Sequence, residues 1–289
     1  MADAYNDHML SAQVNGTELA YVEKGTGTPV FFVHGSVADF RSWSPQMDPF
    51  SSKFRAIAYS RRFHSPNSTR AGSDYSASLH AADLGRLIRA VGPGPAHIVG
   101  SSFGAYAALI LAVREPGLVR TLVLGEPPLL PWLPHIPGGQ VMLDLFLRGA
   151  WEPARRAFKE GDRELGVRYF LDGVLGSGSY DKVPLTARAG LLANAAEIMA
   201  DTTAEGFFSP LSFEEVRRIR IPVLLLNAEL SPRMFHLITD ELARCIPHAA
   251  RIRIPAASHS MHLDNPRVFN DSVIAFLERA EFASTRSVK

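Results

Sequence analysis

Six short runs of β-favouring, mostly apolar residues recur along the chain, at positions 29–33, 56–59, 97–99, 119–124, 222–226 and 251–254. The first, Pro29-Val30-Phe31-Phe32-Val33, has no polar side chain on either face. A strand apolar on both faces is stable only when both are covered, as in the middle of a parallel sheet. Helical stretches separate most of these runs. Residues 77–91 place Leu79, Leu84, Leu87, Ile88 and Val91 at helical spacing, residues 105–113 are rich in Ala and Leu, and 268–277 form a last stripe. Strand alternating with helix predicts an α/β fold, a doubly wound, mostly parallel sheet with helices on both faces. Ahead of it, residues 8–14 and 17–23 alternate around Asn15-Gly16, the pattern of a hairpin.

One interval breaks the rhythm. Residues 127–220 contain no convincing core strand and open on Pro127-Pro128-Leu129-Leu130-Pro131-Trp132-Leu133-Pro134, which cannot be a regular helix. Amphipathic stretches follow near 141–147, 153–158, 164–171 and 185–199. The expected organisation is a core domain from residues 1–126 and 221–289, with a helical cap, 127–220, inserted after the sixth strand.

Charge and composition narrow the function classes. The 289 residues carry 30 Lys+Arg against 29 Asp+Glu, and the densest basic runs, Arg61-Arg62 and Arg217-Arg218-Ile219-Arg220, are short. That is not the footprint of a nucleic-acid binder. The single cysteine, Cys245, has no partner for an internal disulfide and fits a reducing compartment. Residues 1–10 lack an apolar signal core, and no apolar run approaches the roughly 18 residues of a membrane span. A cytoplasmic protein with no membrane partner is the expectation.

The sharpest motif is His97-Ile98-Val99-Gly100-Ser101-Ser102-Phe103-Gly104-Ala105, containing Gly100-x-Ser102-x-Gly104. It follows an apolar strand and opens an Ala-rich helix, the context of a nucleophile elbow. Chain passes so close to such a turn that side chains two residues either side of the serine must be absent. With the buried strand ending in His34-Gly35-Ser36, the chain resembles the α/β-hydrolase superfamily over nearly its whole length. The resemblance implies an oxyanion hole from the backbone N–H groups of Ser36 and Phe103. It gives His34 a structural role, hydrogen-bonded beneath the loop. It also implies a late histidine as general base. His259, after Pro255-Ala256-Ala257-Ser258, fits that place; His262, three residues on, is the other choice and otherwise a hydrogen-bonded residue at a helix start.

The acid departs from the common pattern. Most relatives carry Asp shortly after the seventh strand, where this chain has Ser231-Pro232. Serine cannot stabilise an imidazolium by charge, and Ser-Pro reads as a helix cap. Glu126, at the carboxyl end of the sixth strand, should face the crevice of a doubly wound sheet. A subset of the superfamily, including zearalenone-type lactone hydrolases, places its acid there. Glu229 remains the alternative. The loop Ser60-Arg61-Arg62-Phe63-His64-Ser65 also departs from the family by lacking its glycines. Its arginines are expected to be solvated and its histidine to be a surface or structural residue.

A serine at the elbow points to acyl transfer through Ser102, His259 and Glu126. No metal motif or phosphate loop appears, so the expected chemistry needs only water and no cofactor. Trp132, Phe146, Trp151 and Phe207, with Leu133 and Phe208, are expected to line an apolar cleft between cap and core. The expected substrate is therefore a hydrophobic ester or lactone of small to medium size. Two readings compete, a carbon–carbon bond hydrolase of the meta-cleavage type and a non-catalytic ligand-binding protein. Hydrophobic cap surfaces leave a homodimer open.

Overall fold

A computed structural model describes residues 9–67, 74–92, 94–202, 208 and 211–287. Eight strands form one sheet in the order β1-β2-β4-β3-β5-β6-β7-β8. They are β1 Leu10–Val14, β2 Thr17–Lys24, β3 Pro29–Val33, β4 Arg55–Tyr59, β5 Ala96–Ser101, β6 Val119–Gly125, β7 Val223–Ala228 and β8 Ala250–Ile254. The β1–β2 hairpin turns at Asn15-Gly16, and β2 pairs antiparallel with β4; every later pairing is parallel.

The all-apolar strands are buried on both faces for the reason the sequence gives. Phe31 and Val33 of β3 join one core, with α2 (Ala77–Val91), α3 (Phe103–Arg114) and α11 (Arg233–Cys245). Val30 and Phe32 join the other, with α1 (Ser44–Ser51) and α13 (Pro266–Ser287). Phe32 packs edge-on against Phe50 of α1 at 5.0 Å between ring centres, a favoured aromatic geometry.

Between β6 and β7 the described residues form helices and turns: α4 Gly139–Phe146, α5 Glu152–Lys159, α6 Arg163–Leu175, α7 Ser179–Lys182, α8 Leu185–Ala193, α9 Ala196–Asp201 and α10 Phe213–Arg217. The stretch 185–199, expected as one helix, is two. Asn194 breaks it because its side chain is drawn onto the core: Nδ2 donates to Asp39 Oδ2 at 2.7 Å and Oδ1 accepts from Ser65 N at 2.7 Å. A short α12, Met261–Asp264, precedes α13. Among the described residues no helix is long and apolar enough to cross a membrane.

The strand ends are crowded at one place. A methyl group at Gly104 would stand 2.2 Å from Val33 O, and one at Gly100 would stand 2.5 Å from Ala105 Cα. Both obstacles are backbone and cannot rotate away. Gly104→Ala should therefore destabilise the protein by at least about 1–3 kcal/mol, the usual cost of overpacking. Thermal denaturation measures this; an unchanged midpoint would contradict the close approach of α3 to β3.

Candidate active site

Ser102 sits on the turn between β5 and α3 with φ 51° and ψ −122°, a conformation that a residue with a Cβ adopts only under constraint. Backbone bonds supply the constraint. Ser102 N–H donates to Gly125 O at 2.7 Å, and Tyr106 N–H donates to Ser102 O at 3.1 Å. The loop after β3 runs directly beside it, so close that a methyl at Gly35 would lie 3.0 Å from Ser102 Cβ. Ser36 follows in that loop, and Phe103 is the first residue of α3; both border the same space as Ser102.

Glu126 follows β6, also at positive φ, 48°. It is wholly buried, so both oxygens need partners. Oε2 accepts from His259 Nδ1 at 2.7 Å and from Ser231 Oγ at 2.8 Å. Oε1 accepts from Ala228 N at 2.8 Å and Asn227 Nδ2 at 3.1 Å. Burial alone would raise the carboxyl's pKa, but His259 and the donors from Ala228 and Asn227 outweigh it and hold Glu126 below its ordinary value. With its carboxylate on Nδ1, Glu126 selects the tautomer that carries its proton there and keeps the Nε2 lone pair available. That Nε2 has no hydrogen-bond partner among the described residues. The ring stacks on Phe235 of α11, 3.9 Å between centres and 16° from parallel.

Ser102 and His259 line one cavity of about 880 Å³, the size of a small-molecule site. Its wall carries Phe170, Val174 and Leu175 of α6 and also Arg41 and Lys182. Arg41 is already engaged by Asp39, Nε to Oδ1 at 2.8 Å and Nη2 to Oδ2 at 2.6 Å. A second, narrow niche of about 30 Å³ opens from Ser36, Ser102 and Phe103 towards Phe146, Trp151, Phe208 and Phe235.

The structure thus gathers Ser102, His259 and Glu126 at neighbouring strand ends and places Phe146 and Trp151 on the niche. Trp132 is a correction. It lines neither cavity, because its ring is buried against Phe213 and its Nε1–H donates to Leu211 O at 2.6 Å. Phe207 lies outside the described residues. Glu229 is exposed and accepts from Ala256 N instead, at 2.9 Å. Ser231 is no helix cap: α11 begins at Arg233 with Pro232 before it, and the Ser231 hydroxyl holds Glu126. His262 is buried against Trp43, 4.3 Å between stacked rings, and neither ring nitrogen has a hydrogen-bond partner among the described residues, contrary to expectation.

Arg61 is wholly buried, not solvated. Its Nε donates to His34 O at 3.0 Å and Nη2 to Gly35 O at 3.1 Å, which anchors the loop carrying Ser36. Its guanidinium forks onto Glu197 of α9, Nη1 to Oε1 at 2.6 Å and Nη2 to Oε2 at 2.7 Å. Burial opposes the Glu197 charge, but Arg61, His64 and His80 hold the carboxyl well below its ordinary range. Arg62 pairs with Asp83. His34 accepts the Arg61 N–H on Nε2 at 2.8 Å, so its Nδ1–H donates to Gly35 O at 2.8 Å, the structural role expected of it. A buried arginine at the core–helix contact had no sequence signal beyond its place after β4.

An eight-stranded, mostly parallel sheet with a serine on a strained turn after its fifth strand defines the α/β-hydrolase fold. Comparison with known proteins agrees. The profile of the alpha/beta hydrolase family matches residues 30–272, and the chain belongs to that family. It is 26% identical over 286 residues to the 2-(acetamidomethylene)succinate hydrolase of Mesorhizobium japonicum, covering 96% of this chain and 98% of that one. The enol-lactonase from Burkholderia xenovorans superposes with a TM-score of 0.73 at 20% identity, over 93% of this chain and all (100%) of the other. A thermophilic esterase from Thermogutta terrifontis gives 0.71 at 22% identity, over 94% and 99%.

One consequence for stability follows from His262. Burial, and then the neighbouring His259, push its pKa down to about 3. In the unfolded chain the ring takes a proton near pH ~6.5. Between these values the unfolded state binds more protons, so stability falls as pH drops below about 6.5. From pH ~7 to ~5 this single ring should cost about 2 kcal/mol. His262→Phe, which keeps the stack on Trp43 and cannot titrate, should flatten the fall in melting temperature over that range. An unchanged pH slope in the variant would remove His262 as a cause.

Proposed function

We propose that this chain is a cofactor-free serine hydrolase that cleaves a carboxylic ester or lactone through Ser102, His259 and Glu126. The observation that carries the reading is the 2.7 Å contact between His259 Nδ1 and a wholly buried Glu126, with His259 and Ser102 facing one cavity. His259 Nε2 takes the Ser102 proton as Oγ attacks the acyl carbon. The backbone N–H groups of Ser36 and Phe103 stabilise the oxyanion. The proton passes from His259 to the leaving oxygen, and water, deprotonated by His259, then releases the acid from Ser102. Glu126 stabilises the imidazolium that forms twice in the cycle. The helices between β6 and β7 act as a cap over the site. The similar proteins described above, a succinate-derivative hydrolase, an enol-lactonase and an esterase, agree with hydrolysis as the chemistry.

The acid assignment has a direct test in steady-state kinetics on an activated ester. Glu126→Gln should lower kcat by roughly 10²–10⁴-fold, as loss of a triad acid does elsewhere. Glu229→Gln, at an exposed carboxylate that accepts from Ala256 N while His259 Nδ1 bonds Glu126, should leave kcat within about twofold, as for a surface substitution. The reverse order would reject Glu126 as the acid.

A further inference from the structure

Two cavities meet at Ser102, and they differ in size and in which catalytic groups they touch. Ser36, Ser102, Phe170 and Val174 line both. His259 lines only the large one, of about 880 Å³. Phe103 lines only the niche, of about 30 Å³. We infer that the niche receives the acyl substituent and the large cavity the leaving group, so that the substrate is a short-chain acyl ester of a bulky alcohol. This rests on the acyl-transfer reading above and adds a direction to it.

The direction comes from the proton. As the Ser102 Oγ–carbon bond forms and the carbon–oxygen bond to the leaving group breaks, the serine proton must reach that departing oxygen through His259 Nε2. The leaving oxygen therefore lies on the side of the serine that His259 faces, which is the large cavity. The carbonyl oxygen is taken by the N–H groups of Ser36 and Phe103. The one remaining bond on the acyl carbon, to the acyl chain, points away from His259, into the niche. Water enters from the large cavity in the second step, regenerating Ser102 and leaving the free acid.

The size of the niche sets the chain length. At about 30 Å³ against about 880 Å³, it is a small fraction of the large cavity and admits only a short chain. Its walls are stiff aromatic and branched groups: Phe146, Trp151, Phe208 and Phe235, with Pro128 and Leu130 at the hinge after β6. Phe146 and Trp151 brace each other at 6.0 Å between ring centres. No charged side chain lines it among the described residues, so the acyl group is uncharged. Acetyl to butyryl chains fit. The large cavity, edged by Ser177, Ser179 and Lys182, suits an alcohol with an extended apolar body and polar edges.

The test is a two-way ester panel with matched leaving groups. Along 4-nitrophenyl acetate, butyrate and octanoate, kcat/KM should fall roughly tenfold or more between butyrate and octanoate, the discrimination a filled apolar pocket gives. Between phenyl acetate and 2-naphthyl acetate it should hold or rise. Trp151→Ala and, separately, Phe146→Ala should restore octanoate by roughly tenfold or more relative to acetate, with no gain on 2-naphthyl acetate. Turnover that favours octanoate in the wild type, or rejects the naphthyl ester, overturns the partition and leaves the hydrolase reading standing. No turnover of any ester by the folded wild type rejects both. The wild-type panel decides the matter even if a variant fails to fold.

Discussion

A carboxylate shut away from water has to be matched at each oxygen, and at Glu126 that requirement organises the site. Its four partners come from three places: Asn227 and Ala228 at the end of β7, Ser231 in the loop beyond, and His259 after β8. Satisfying them pulls the loops after three adjacent strands into one arrangement. Each neutral donor offsets part of the desolvation cost, and the histidine supplies the charge partner once it takes a proton. The left-handed backbone at Glu126, φ 48°, is part of the same geometry, as it turns the carboxylate into the crevice at the end of the sheet.

A second buried charge does comparable work at the loop beside Ser102. Arg61 bonds the carbonyls of His34 and Gly35 beneath the Ser36 loop and is answered by Glu197 from the helical segment. Removing one member of such a pair typically costs about 3–5 kcal/mol, because the other is left buried and unmatched. The same contact therefore fixes the loop that borders Ser102 and the position of α9 over the sheet. Asn194, bonded to Asp39 and Ser65, ties α8 down nearby. The walls of the cavity are held by polar contacts across the core–helix boundary as well as by apolar packing.

What the sequence disclosed, and what it hid, follows from how local each signal is. The β strands and α2 were legible because periodicity and two-sided apolarity are properties of a few adjacent residues. Gly100-x-Ser102-x-Gly104 was legible because its neighbours in sequence are its obstacles in space. Glu126 draws attention because Ser231 stands where a carboxylate is expected, and the Ser231 hydroxyl bonds the Glu126 carboxylate. Arg61 and Glu197 were hidden because they are 136 residues apart and nothing near either one signals the other. Trp132 was misplaced for a related reason. An aromatic residue after β6 can face the cleft or the interior of the helical segment, and only the contact with Leu211 and Phe213 decides it.

The central claim is that Ser102 is an activated nucleophile, and covalent labelling addresses it most directly. After exposure to a fluorophosphonate, intact mass and a peptide map should show one adduct, on Ser102, absent from Ser102→Ala. An adduct that persists in that variant, or a folded wild type that takes none, would contradict the account.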